Sequence, residues 1–205
     1  MSYLIALQKW MVENWVEFLA AMTGLACVWL TLKNKISSWP WGIVSVLLYS
    51  VVFWKAQFFG NFGLNFLYYL PTSLFGWWNW AKRGPTQNDD LPVRRLSPRG
   101  NLTWLGIMIV ATLAIGAPIS YFTKDPYPYA DALTTGLCIV AQWMQAKKWL
   151  ENWWYWIVAD VIYVGYLFPM QHLYFSFGLY ILYLIIAIQG ALAWKKLAVP
   201  EYVDA

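Results

Sequence analysis

The sequence predicts an all-α integral membrane protein. Seven transmembrane helices form one membrane domain, arranged as two parallel three-helix repeats joined by a linking helix. Three observations predict it. The 205 residues are 60% hydrophobic and only 12% charged, against about a quarter charged in a soluble domain. Seven apolar segments follow one another, each close to the roughly 20 residues that cross a bilayer. Short motifs then recur in order at a nearly constant offset, the signature of an internal repeat.

The spans run Trp15–Leu32, Trp41–Lys55, Gly60–Ala81, Leu102–Phe122, Tyr129–Ala146, Trp153–Pro169 and Leu173–Trp194. The second is the shortest, and Trp39 and Pro40 belong to its start, where proline is tolerated. The segments are continuously apolar and too long for the alternating strands of a membrane barrel. Leu4–Met11 reads as the frayed start of the first span; no small-residue cleavage site follows it, so a signal peptide is not expected. Lys82–Asn101 reads as a plain connecting loop.

With seven spans, Lys9, Lys55 and Lys124 fall on one side. Lys33, Lys35, Lys82, Arg83, Arg94, Arg95, Arg99, Lys147, Lys148, Lys195 and Lys196 fall on the other. Positive charge holds loops in the cytoplasm, so the C-terminus is expected inside and the N-terminus outside. The same interspersed placement speaks against nucleic acid as a partner and makes the lipid bilayer the expected one. Cys27 and Cys138 lie far apart in apolar segments, and His172 is the only histidine. Metal ligation and histidine catalysis have almost nothing to work with. Phosphate-loop, dinucleotide and zinc-protease motifs are absent, so no cofactor and no catalytic residue is expected.

The repeat pairs Thr23-Gly24-Leu25 with Thr135-Gly136-Leu137, and Trp39-Pro40-Trp41 with Trp154-Tyr155-Trp156. It also pairs Phe62-Gly63-Leu64 with Phe177-Gly178-Leu179, and Gly76 and Trp80 with Gly190 and Trp194. The offsets are 112, then 115, then one residue less. The first repeat covers 14–81, the linking helix 102–122 and the second repeat 129–196. Three spans are an odd number, so the linking helix is what restores a parallel orientation, as in the transporter class with an axis along the membrane normal. Such proteins bind substrate near the midplane, between repeats.

Differences between the copies mark candidate site residues. Asp131, Thr135, Cys138, Gln142 and Gln145 form a polar stripe on the fifth span, where the first copy offers Leu19, Thr23, Ala26, Leu30 and Lys33. Gln142 has donors and acceptors to satisfy, against a ligand or against a neighbouring helix. Asp160 answers Ser45, and an intramembrane carboxylate faces a protein interior or a wet cavity. Trp153, Trp156 and Asp160 stand at i, i+3 and i+7, on one helical face. Asn61, Asn65, Tyr69 and Thr72 share a side of the third span beside Pro71, and Ser176, Tyr180 and Tyr183 a side of the seventh. Trp15, Trp39, Trp77, Trp78, Trp80, Trp104 and Trp194 lie near span ends and read as the interfacial aromatic belt, an assignment open to Trp153 as well.

The string Ala141-Gln142, Lys147-Lys148, Glu151-Asn152-Trp153, Trp156 and Asp160 resembles the second-repeat signature of the PnuC family of vitamin transporters. Trp39-Pro40-Trp41-Gly42-Ile43 with Ser45-Val46, and Gly76-Trp77 with Trp80, resemble the first. The resemblance implies facilitative uptake of nicotinamide riboside, a precursor of NAD, across the bacterial inner membrane. Trapping by a cytoplasmic riboside kinase and a homo-oligomer, a trimer by resemblance, are implied with it. Phe66 departs from the glutamine common at that place in the family, which leaves thiamine or riboflavin as alternative cargo. A membrane-embedded enzyme or scaffold is the reading from another class. The candidate binding residues are therefore Asn65, Tyr69, Gln142, Trp153, Trp156, Asp160, Tyr180 and Tyr183.

Overall fold

The computed structural model describes residues 14–82, 91–122, 126–170 and 174–204. The segment Leu4–Met11 and residues Lys9, Arg83, Lys124 and His172 lie outside the described residues. Seven helical rods run through the rest. They are α1 (Trp15–Leu32), α2 (Ser38–Lys55), α3 (residues 59–80), α4 (Pro98–Phe122), α5 (Pro128–Ala146), α6 (residues 152–170) and α7 (Tyr174–Leu197). Among the described residues, three apolar segments have the length and composition to cross a membrane alone: Trp15–Leu32, Pro98–Phe122, and Ser176–Leu197 within α7. Every rod is apolar on most faces, so what marks an inward face is small and polar residues. Ala20, Ala21, Thr23 and Thr31 are the buried side of α1, and small side chains let apolar helices approach closely.

Packing closes six of the rods into a ring. The order is α1, α2, α3, α5, α6, α7 and back to α1, with α4 outside and packed along α5. Gly136 makes that approach possible, because a Cβ there would sit 2.7 Å from Thr112 Oγ1 and 3.3 Å from the Met108 carbonyl. The six-membered ring encloses the polar residues that a bilayer would not accept.

The corners between α1 and α2 and between α5 and α6 share one backbone path. Asn34 and Lys148 both have positive φ, 57° and 62°. The amide of Lys35 reaches the Leu30 carbonyl, and that of Trp149 reaches Met144. These pairs are 114 residues apart, and so are the long-range contacts. Trp80 Nε1 donates to the Gln145 carbonyl at 3.0 Å, and Trp194 Nε1 to the Thr31 carbonyl at 3.0 Å. Trp39 lies against Gly76, and Trp153 lies 2.5 Å from a Cβ placed on Gly190.

This spacing corrects the sequence alignment. The positional counterpart of Trp39 is Trp153, not Trp154; that of Trp156 is Gly42, and that of Asp160 is Val46. Thr135-Gly136-Leu137 is likewise not the counterpart of Thr23-Gly24-Leu25. Gly136 meets α4, whereas a Cβ on Gly24 would meet Tyr183 Oη at 2.8 Å and Ser45 Oγ at 3.1 Å.

Two π turns explain why no single offset works. Asn65–Tyr69 in α3 and Tyr163–Leu167 in α6 are wound in the wider i→i+5 form, which holds one residue more per closed ring than the α form. The turn in α6 lengthens the second half by one, taking the offset from 114 to 115 at Phe62 and Phe177. The turn in α3 lengthens the first half and returns it to 114 at Gly76 and Gly190. Each π turn ends two residues before a proline, Pro71 or Pro169. Proline has no N–H and its ring crowds the carbonyl of residue i−4, which opens the preceding turn.

Three further expectations are corrected. Lys82–Asn101 is not merely a connector. Val93–Leu96 forms strand β1, paired in parallel with β2 (Ala198–Val203), and α4 begins at Pro98 rather than Leu102. Arg94 also bonds to the α5–α6 corner through Lys148 O and the Leu150 amide. Trp39, Trp80 and Trp194 are not belt residues: they are 1%, 5% and 0% exposed. Lys148, counted with the loop charges on the basic side, is buried instead, with Nζ 4.7 Å from the Trp80 ring centroid.

Candidate functional site

One cavity of about 330 Å³ lies inside the six-helix ring. Its floor is a row of four indoles spanning the bundle. Trp39 meets Trp80 edge-on at 5.4 Å, Trp80 meets Trp194 at 5.6 Å, and Trp194 meets Trp153 edge-on at 5.4 Å. Edge-to-face packing at these distances is the favourable arrangement for aromatic quadrupoles. Val93 and Leu150 pack against the same cluster, so β1 and the α5–α6 corner seal the floor from below. The Nε1 donors of Trp39 and Trp153 are buried without a hydrogen-bond partner among the described residues.

All eight candidate residues line this cavity: Asn65, Tyr69, Gln142, Trp153, Trp156, Asp160, Tyr180 and Tyr183. Helix geometry sets their depth. At about 1.5 Å per residue, Trp156 stands roughly 4.5 Å above Trp153 and Asp160 roughly 10 Å above it. Gln142 Nε2 donates to Ser73 Oγ at 3.2 Å, leaving its carbonyl oxygen for other use. Trp156 Nε1 donates to Gln145 Oε1 at 3.1 Å. Asp160 is 5% exposed, and no donor or cation meets its carboxylate among the described residues. Tyr163, Tyr180 and Tyr183 meet edge-on in sequence, at 4.8 and 5.4 Å, and line the same cavity.

The polar stripe on α5 turns inward as expected for Thr135, Cys138, Gln142 and Gln145, while Asp131 is not part of the lining. On α3 the expected face is off by one residue. Asn61, Asn65, Tyr69 and Ser73 line the cavity, and Thr72 instead bonds back to the Tyr68 carbonyl at 2.5 Å. The π turn is the reason: it keeps a spacing of four on one face, which an α-helix would rotate away. Ser73 therefore carried no signal in a period of 3.6. Tyr163 lines the cavity as well; three residues beyond Asp160 and seven beyond Trp156, it continues their helical face and was within reach of the helical spacing.

With the corrected spacing, the halves differ sharply around the cavity. Gln142, Gln145, Trp156 and Asp160 on the second side answer Val28, Thr31, Gly42 and Val46 on the first. A carboxylate, an amide and an indole thus converge from one side of a chamber whose other walls are apolar, phenolic and, at Asn61, Asn65 and Ser73, neutral polar. Such a chamber suits a flat, positively charged ring bearing hydroxyl or amide groups.

A profile of the family described as nicotinamide mononucleotide transporter matches residues 14–196. The nicotinamide riboside transporter PnuC of Escherichia coli (strain K12) is 25% identical over 205 residues, covering 88% of this chain and 85% of that protein. The riboflavin/roseoflavin transporter RibM of Streptomyces davaonensis is 24% identical over 185 residues, covering 88% and 84%. The crystal structure of the vitamin B3 transporter PnuC superposes with a TM-score of 0.73 at 28% identity, covering 91% of this chain and 84% of that one.

Proposed function

The chain belongs to the nicotinamide mononucleotide transporter family, and on that premise we propose that it carries nicotinamide riboside across a membrane. It is a membrane transporter rather than an enzyme. The observation that carries the substrate assignment is the convergence of Gln142, Trp156 and Asp160 on one cavity. Trp156 stacks on the cationic pyridinium. Asp160 balances the positive charge or accepts from the ribose, and Gln142 uses its free carbonyl toward a hydroxyl or amide donor. Tyr69, Tyr180 and Tyr183 line the far walls, Asn65 adds a polar edge, and Trp153 belongs chiefly to the floor.

The helices act as two parallel three-helix repeats, 14–81 and 129–196, joined by the linking helix 102–122. The reciprocal bonds of Trp80 and Trp194 and the closed six-helix ring support this arrangement. The end carrying Lys33, Lys35, Lys82, Arg94, Arg95, Arg99 and Lys195 faces the cytoplasm of a bacterial inner membrane. Transport is facilitative, with the riboside trapped by a cytoplasmic kinase, and the protein is a homo-oligomer, for which a trimer is the reading by resemblance.

The test is uptake of labelled nicotinamide riboside into liposomes holding the pure protein. Expected is saturable entry that needs no imposed gradient; liposomes no more permeable than protein-free ones would sink the proposal. Riboflavin is the second reading, favoured by the similarity to RibM. Excess riboflavin that abolishes riboside entry would support it.

A further inference from the structure

Gln145 joins the cavity to its floor. Its side-chain Oε1 accepts the Trp156 indole N–H at 3.1 Å, and its main-chain carbonyl accepts the Trp80 indole N–H at 3.0 Å. The position 114 residues earlier separates these two bonds. The Thr31 carbonyl accepts from Trp194 at 3.0 Å, as Gln145 does from Trp80. The Thr31 hydroxyl, however, turns back to the Cys27 carbonyl at 2.9 Å, and Gly42 stands where the second half has Trp156. The carbonyl bond is therefore part of the scaffold in both halves. The side-chain bond exists in one half only, the half that carries Gln142 and the cavity's carboxylate, Asp160.

An indole has a single donor and no acceptor, so one bond to Nε1 fixes the rotation of the ring about its stem. Attraction of a cation depends on its lying over the ring face rather than at the edge. Gln145 is 8% exposed, so water competes little for its Oε1. We propose that Gln145 is a positioning residue: it holds the Trp156 indole with its face to the ligand and so sets affinity for a flat cationic substrate. The inference rests on the nicotinamide riboside reading for its ligand, but not for the geometry of the Gln145–Trp156 pair.

The test uses the full-length protein in detergent, with calorimetry of nicotinamide riboside binding. Gln145→Met keeps length and volume but lacks the acceptor; it is expected to bind about tenfold more weakly. In a Trp156→Phe background the same change should cost less than about twofold, since the two residues act through one bond. An equal loss in both backgrounds, meaning that Gln145 meets the ligand itself, overturns the proposal, as does no loss in either.

A second readout needs no ligand. The indole N–H proton resonance of Trp156, assigned by its absence in Trp156→Phe, should move upfield in Gln145→Met and stay in place in Gln145→Glu, which retains an acceptor oxygen. A resonance unmoved by Met, or moved as far by Glu, overturns the proposal. If the wild-type protein binds no nicotinamide riboside, the vitamin assignment fails while the resonance still decides whether Gln145 holds Trp156.

Discussion

Replacing Asp160 with asparagine separates a charge acting on a ligand from a charge acting on the fold. The carboxylate is 5% exposed, lines the cavity and meets no cation or donor among the described residues. On insertion scales an aspartate at a helix centre costs roughly 2.5–3.5 kcal/mol. Asparagine keeps the shape and a carbonyl acceptor while removing the charge, so the apo protein should melt at the same temperature or higher. Binding should respond the other way. A charge pair roughly 6 Å apart, at an effective dielectric of about 20, is worth about 2.8 kcal/mol, or about a hundredfold. Water remaining in the cavity weakens that, so a loss of at least about tenfold is expected for cationic nicotinamide riboside. The reduced dihydro form of the riboside has the same shape and hydroxyls but no charge, and its affinity should change by less than about threefold. Calorimetry of both ligands on both proteins, with a thermal melt of each, makes the comparison. A drop in melting temperature, or equal losses for the two ligands, would refute the assignment of Asp160 to the substrate's charge.

Other consequences follow from the packing. Gly190→Ala places a methyl about 2.5 Å from the Trp153 ring, and overpacking of this kind costs about 1–3 kcal/mol, read as a lowered melting temperature. Trp194→Phe removes the donor to the Thr31 carbonyl while keeping a ring in the indole row; a loss of about 1 kcal/mol is expected in the same assay. Gln142→Ala leaves only Ser73 without its partner. It should spare the melting temperature while weakening riboside binding about tenfold, measured by calorimetry. Deleting Leu67, which is 76% exposed in the α3 π turn, should restore an α-helix and rotate the preceding turns by about 100°. Asn61 and Asn65 would leave the cavity, so binding should fall with helical circular dichroism unchanged.

The apolar helices were legible in the sequence because a bilayer imposes them. Long apolar rods and interspersed basic residues follow from the solvent, whatever the protein does. The inward polar stripe of α5 was legible for the same reason, since Gln142 and Gln145 have nowhere else to go. Tryptophan was not: its amphipathic ring suits the interface and a buried aromatic row equally well, and only packing on Gly76 and Gly190 places Trp39 and Trp153 in the floor. Nor were the π turns, whose extra residue leaves composition untouched and shifts only phase. That shift misplaced Thr72 for Ser73, while matching Trp39-Pro40-Trp41 to Trp154-Tyr155-Trp156 gave Asp160 and Trp156 the wrong counterparts.

The corrected counterparts change why the asymmetry exists. Against Ser45 and Trp41, Asp160 would be a single polar exchange and Trp156 a residue both halves share. Against Val46 and Gly42, both are additions on one side only. A second indole at Gly42 would collide with α1, where even a Cβ would lie 2.9 Å from Cys27 Sγ. It would also fill much of a space of only about 330 Å³. A symmetric chamber suits a symmetric ligand, and a riboside is flat and charged at one end and hydroxylated at the other. The first half therefore supplies room through Gly24, Val28, Gly42 and Val46. The second supplies chemistry through Gln142, Gln145, Trp156 and Asp160.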